Sequence, residues 1–206
     1  SPADQTRVSG WLQHRAGALS LSAVAGLGRS GVDTQRLVIA GQASEQAHSQ
    51  RVDYTAYLRI ESGWQLGPNW SPYLSAGVLH HRQGAFNEHT DSGLGLTAQH
   101  QHATVPFVES GLRGHWQGAG WQLGTTLAYQ RLLSGAELGY RAAFDGLTTT
   151  QFDVAGIKLP GERWRASVGG AIQLSPRVQI EAAANADIEA GKGHSLGAEL
   201  GLRWAF

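Results

Sequence analysis

From Leu196 to Phe206 every even position is apolar (Leu196, Ala198, Leu200, Leu202, Trp204, Phe206) and every odd one is polar or small (Ser195, Gly197, Glu199, Gly201, Arg203, Ala205). A period of two belongs to a β-strand with two unlike faces, because successive side chains point to opposite sides. The same alternation recurs over 177–189, 163–174, 121–130 and 51–64, less regularly over 17–30, 71–83 and 104–116, and faintly over 5–14. The pattern predicts about nine long strands and no helix.

Strands of globular proteins usually run to about five or six residues. Several of these sustain alternation over about eleven or more, the length that a tilted strand needs to cross a bilayer. Their polar faces carry ionised side chains in mid-strand: Arg59, Glu61, Glu109, Arg113, Arg163, Arg165, Arg177, Glu181, Glu199 and Arg203. A small closed barrel with a dry interior cannot hold such charges, since unpaired buried charge is too costly. The apolar face is therefore expected to look outward to lipid, and the polar face to line a wet lumen.

Composition allows this and narrows the alternatives. The 206 residues carry 16 basic and 16 acidic side chains, so no net charge favours nucleic acid. Cysteine is absent, which removes disulfides and thiolate metal sites. No stretch of about eighteen apolar residues exists, so no transmembrane helix is expected; a membrane barrel needs none. Methionine is absent too, and the chain is expected to be a processed or excised piece of a longer one.

The connections alternate in length. Those at 14–17, 66–70, 117–120 and 175–176 are short, those near 31–49, 84–103 and 134–161 are long, and only the one near 190–193 breaks the order. Short turns on one rim and long loops on the other mark outer-membrane barrels, the short rim being periplasmic. Six of the seven tryptophans follow the short rim: Trp64 and Trp70 flank one turn, Trp116 and Trp121 another, Trp11 lies near a third, and Trp204 stands at the chain end. They are expected to form an interfacial aromatic girdle.

Chemical motifs are weak. The string "GLGRSG" (Gly26, Gly28, Gly31) has the glycine spacing of a dinucleotide site, but it lies at a strand end with no helix after it. In "HTDSG", His89, Asp91 and Ser92 are neighbours in sequence, which is not triad geometry. The pairs His80–His81 and His100/His102 fall near the outer rim, where metal binding would need converging ligands and supporting partners. No catalytic residue, cofactor or metal is assigned.

The stretch from Ala142 to Phe206 resembles the translocator domain of autotransporters, the type V secretion proteins of Gram-negative bacteria. It has a long loop with Phe152, Asp153, Val154 and Gly156, then three strands ending in Phe. Upstream, "LSAGVLHHRQGAFNEHTDSGLGLTAQ" is similar to the family's central segment, with Phe86 and Glu88 before a glycine-rich strand. Glu199, Gly201, Trp204 and Phe206 match the terminal assembly signal of outer-membrane barrels, polar-x-Gly-x-x-aromatic-x-aromatic.

The resemblance implies an antiparallel up-and-down transmembrane β-barrel in the outer membrane, residues 1–206 forming one translocator domain. It implies no enzymatic activity, export and anchoring of a passenger, and a last strand read by the barrel assembly machinery. Partners would be outer-membrane lipid, the passenger and a linker helix. Family barrels have twelve strands against about nine here, so three strands and the linker helix are expected to be missing from the amino-terminal side. The residues alone leave two other readings open, a porin-like channel and an enzyme using the outer-rim histidines or surviving from a secreted hydrolase.

Overall fold

The computed structural model describes residues 4–40, 43–88, 90–134, 137–190 and 193–204. Phe206 and His89 lie outside them. Along the chain run β1 (Gln5–Ala16), β2 (Leu19–Ala40), β3 (Ala43–Trp64), β4 (Trp70–Gln83), β5 (Phe86–Asn87), β6 (Leu96–Ala98), β7 (Gln101–Gly118), β8 (Trp121–Leu132), β9 (Glu137–Phe144), β10 (Leu147–Lys158), β11 (Glu162–Ser175), β12 (Val178–Glu189) and β13 (Gly193–Trp204). Nine of them build one antiparallel sheet in the order β1-β2-β3-β4-β7-β8-β11-β12-β13, as the alternation predicts.

The tight turns are built by residues suited to them. Gly17 (φ 60°) joins β1 to β2 and Gly120 (φ 80°) joins β7 to β8, both in the left-handed region that side chains with a Cβ rarely adopt.

Burial identifies the inner face. In the large sheet the buried side chains, among them Ala47, Tyr73, Ser75, Glu109, Ala128 and Ala171, all belong to the polar series. The apolar series is exposed: Ile60 is 50% accessible and Leu74 54%, while Ser75 beside it is 2%. The sheet therefore curls around its polar face, the reverse of a water-soluble sandwich. Inside the curl, aromatic rings lie flat on glycine backbones of the next strand. Tyr57 covers Gly26, and a Cβ at Gly111 would lie 2.5 Å from the Tyr73 ring.

Two features depart from the sequence expectation. Residues 31–49, expected to be a loop, continue β2 and β3 to 22 residues each, paired as far as Ala40 opposite Ala43. The long connections 84–103 and 134–161 supply a second sheet in the order β10-β9-β6-β5. Its apolar cluster holds Phe86, Ala98 and Ala142, with Tyr140, Phe152 and Val154 against them, so the two loop motifs meet in one place. The long hairpin is tied to this region by Arg36, whose guanidinium donates to buried Glu88 (2.6 Å), and by Glu45, which accepts from the Asp91 N–H (3.1 Å).

Among the described residues β1 pairs only with β2 and β13 only with β12. The two outer strands leave unpaired backbone edges, which a hydrocarbon environment tolerates only when they are closed or covered.

Candidate functional site

The inner wall carries most of the charge, and the charges meet in pairs. Arg59 Nη2 donates to Glu61 Oε2 (2.9 Å) and Glu109 Oε1 (2.8 Å), and the Tyr73 hydroxyl donates to the same Glu109 oxygen (2.9 Å). Arg113 forks onto both oxygens of Glu61 (2.5 and 2.8 Å), and its guanidinium carbon sits 3.9 Å from the Tyr73 ring centroid. The register explains the cluster: Glu61, Ser75 and Glu109 share one rung across β3, β4 and β7. Two acids on one rung would repel, and the arginines on either side, Arg59 one same-face rung away and Arg113 two, neutralise both.

A second cluster spans β11 and β12, where Arg163 and Arg165 both reach Asp187 (3.2 Å each) and Arg163 also reaches Glu189 (3.6 Å). Arg203 of β13 reaches Glu181 of β12 at 3.3 Å. Arg177 departs from its expected place. It falls in the turn at 176–177, before β12 begins, so it is not part of the inner wall. Tyr73, Asp187 and Glu189 are members of the wall that were not singled out from sequence, although their parity puts them on the polar series.

Between the clusters the wall is low. Gly124, Gly169, Ala171, Ala183 and Gly201 floor a trough with Glu181, Glu199 and His115 at its sides. Glu199 lies opposite Ala183 and Gly201 opposite Glu181, both on the inner face, and Trp204 lies opposite Val178 on the outer face at the short-turn rim. Phe206, the last member of the expected assembly signal, is outside the described residues.

On the outer face Trp64, Trp70, Trp116, Trp121 and Trp204 stand near the short turns, Trp70 and Trp116 edge to face at 5.0 Å. Trp11 is different. It lies opposite Val24, which lies opposite Arg59, so it projects from the inner face and five residues from the turn. The seventh tryptophan, Trp164, packs on Tyr129 (4.9 Å) at the long-loop rim, level with a second aromatic row rather than the first.

Of the expected histidines His80 and His102 approach each other, their ring centroids 6.1 Å apart, but His81 does not join them. His80 and His81 are adjacent in β4 and point to opposite faces, His80 Nδ1 contacting Thr104 Oγ1 (2.9 Å) and His81 Nδ1 contacting Thr55 Oγ1 (3.3 Å). Among the described residues no group of three or more His, Asp or Glu is arranged to hold a metal. The "GLGRSG" glycines lie within β2, paired on both sides, with no helix end to receive a phosphate.

Comparison with known proteins agrees with this geometry. The family profile described as autotransporter beta-domain matches residues 2–185. Among solved structures the chain is similar to the translocator domain of autotransporter NalP from Neisseria meningitidis, with a TM-score of 0.71 and 17% sequence identity. That match covers 99% of this chain and 66% of the other, so the chain spans just under two thirds of its structural relative. Among curated protein sequences there is no significant match. With nearly its whole length matched by the family profile, and with an inside-out sheet of the same fold, this chain belongs to the autotransporter β-domain family of the Gram-negative outer membrane.

Proposed function

We propose that the chain is the membrane-embedded translocator of an autotransporter, which anchors a passenger and lets it reach the cell surface. The observation that carries this is the two-sided sheet: an outer face of exposed apolar side chains and an inner face of paired charges and small residues. Lipid hydrocarbon covers the first. The second offers an unfolded or helical segment a polar wall that does not hold it by apolar contact, and the trough over Gly124, Gly169 and Gly201 gives it room. The charges lining the wall are Arg59, Glu61, Glu109, Arg113, Arg163, Arg165, Glu181 and Arg203. We assign the domain no catalysis.

The last strand has a separate role. Glu199, Gly201, Trp204 and Phe206 form the signal that the barrel assembly machinery reads, and Trp64, Trp70, Trp116, Trp121 and Trp204 anchor the periplasmic rim in the interface. Fusing a folded-when-exported reporter ahead of the chain and expressing it in a Gram-negative host tests the whole reading. The reporter is expected to become accessible to added protease on intact cells. A reporter that stays periplasmic while the barrel is folded in the outer membrane would sink the proposal.

A further inference from the structure

Across β1, β2, β3, β4 and β7 the outer face has no Asp, Glu, Lys or Arg between the short-turn rim and one row near the long loops. In that row the register sets Thr6 opposite Arg29, Arg29 opposite Tyr54, Tyr54 opposite Arg82, and Arg82 opposite His102, across β1, β2, β3, β4 and β7. Tyr54 is ten residues along β3 from Trp64. Ten residues span about 34 Å of strand, or roughly 26 Å of height at a tilt near 40°, which is the height of a barrel's apolar band. The row therefore stands at the outer-leaflet headgroups, a placement that rests on the outer-membrane reading with the long loops outward.

The arginines of the row are unlike those of the inner wall. Arg51, Arg59, Arg113, Arg163, Arg165 and Arg203 all meet carboxylates of this chain. Arg29 and Arg82 are exposed and have no hydrogen bond or ion pair to a described residue. The nearest carboxylates on their face are further out: Asp4, beside Gly31, and Asp33, which is occupied by His48 at 3.2 Å. Two strand spacings put Arg29 and Arg82 about 10 Å apart. Directly below, toward the membrane centre, Leu27 and Ala56 continue as hydrocarbon beneath Arg29 and Tyr54, with His80 beneath Arg82, and Leu27 is 67% exposed.

We infer that Arg29 and Arg82, with Tyr54 between them and His102 beside them, bind the phosphates of a phosphorylated lipid headgroup in the outer leaflet. The guanidinium fork matches phosphate geometry, and an unpaired cation at a lipid interface gains most from a charge-assisted bond. A soluble phosphate would use the arginines but make no contact with Leu27. A lipid satisfies both, with its phosphates on the row and its chains on the apolar strip beneath. Tyr54 suits the level, its ring in hydrocarbon and its hydroxyl among headgroups.

The test is native mass spectrometry of the folded protein in detergent, with doubly phosphorylated lipid A or the same lipid stripped of phosphate. The wild type is expected to retain the phosphorylated form selectively. Arg29→Gln with Arg82→Gln should weaken retention about tenfold or more, since two charge-assisted contacts are lost. Replacement of both by Lys, which keeps the charge without the fork, should fall between the wild type and the Gln pair. Arg7→Gln is the control, because Arg7 lies opposite Gly28 at the same level on the inner face, and it should change nothing.

Folding of each variant is read from its heat-modifiable gel mobility. Should the Gln pair fail to fold, the single Arg82→Gln variant carries the test, with about a threefold loss expected. Equal retention by the wild type and the Gln pair, no preference over the stripped lipid, or full displacement by inorganic phosphate would each overturn the inference. Reporter display on the same proteins belongs to the translocator reading alone. A wild type that displays the reporter but shows no lipid preference overturns the inference and leaves that reading standing.

Discussion

Glu109 is 3% exposed and its carboxylate is shared by Arg59 and the Tyr73 hydroxyl. Replacing it by Leu leaves the buried Tyr73 hydroxyl without a partner while Arg59 keeps Glu61, and a buried donor without a partner costs about 1–3 kcal/mol. The unfolding free energy of the barrel in lipid vesicles, read from urea titration, is expected to fall by that amount for Glu109→Leu. Arg141→Gln should barely move it, because the Asp153 partner of Arg141 is 80% exposed and a surface pair is worth about 0–1 kcal/mol. Equal midpoints for the two variants would show that the inner cluster is only solvated charge. Gly111 makes a second demand on the same ring. A methyl there would press on Tyr73, so Gly111→Ala should cost about 1–3 kcal/mol, and combining it with Tyr73→Ala should cost less than the sum of the two.

At the scale of elements, what could be read from sequence depended on which face each element shows to lipid. Within the membrane one face meets hydrocarbon and the other water, which forces period two, and nine strands followed from it. Beyond the rim neither face meets hydrocarbon. Residues 31–40 of β2 keep pairing with β3 through the backbone ladder and the Asp33–His48 pair, so no alternation marked them as strand. The small sheet was hidden for another reason, since its pairing of Leu96 with Phe144 joins two loops far apart in sequence. Trp11 was misplaced because nearness to a turn was weighed above parity. It shares the odd series with Arg7, Gln13 and Arg15, and parity decides the face. The last strand is the element whose sequence asks for most. Glu199 and Gly201 on the inside with Trp204 on the outside form a pattern that packing does not require, and we predict that Trp204→Ser slows insertion more than it weakens the folded barrel. Pulse-chase folding in cells should lengthen several-fold while the unfolding free energy from urea titration moves by no more than about 1 kcal/mol. An unchanged folding time with a lowered midpoint would make Trp204 an ordinary anchor.

The whole molecule is specified by one inversion, apolar outside and charged inside, and neighbouring residues can report it. Val168 and Ser167 are adjacent in β11, halfway between the tryptophan at the short-turn rim and Trp164, and they face opposite ways. Val168 lies opposite Thr125 on the outer face and Ser167 opposite Thr126 on the inner one. Val168→Arg puts a guanidinium at the middle of the hydrocarbon, where barrels lose about 2–4 kcal/mol. Ser167→Arg puts the same group into the water-filled side, opposite Asn185 and two positions from the carboxylate of Asp187, so its cost should be within about 1 kcal/mol of zero. Chemical unfolding in vesicles of defined thickness measures both. A thinner bilayer should shrink the Val168→Arg penalty, because the guanidinium then reaches headgroups sooner, and should leave Ser167→Arg unchanged. If the two substitutions cost the same in every bilayer, the curl of the sheet places its faces otherwise than described, and the translocator reading loses the observation on which it stands.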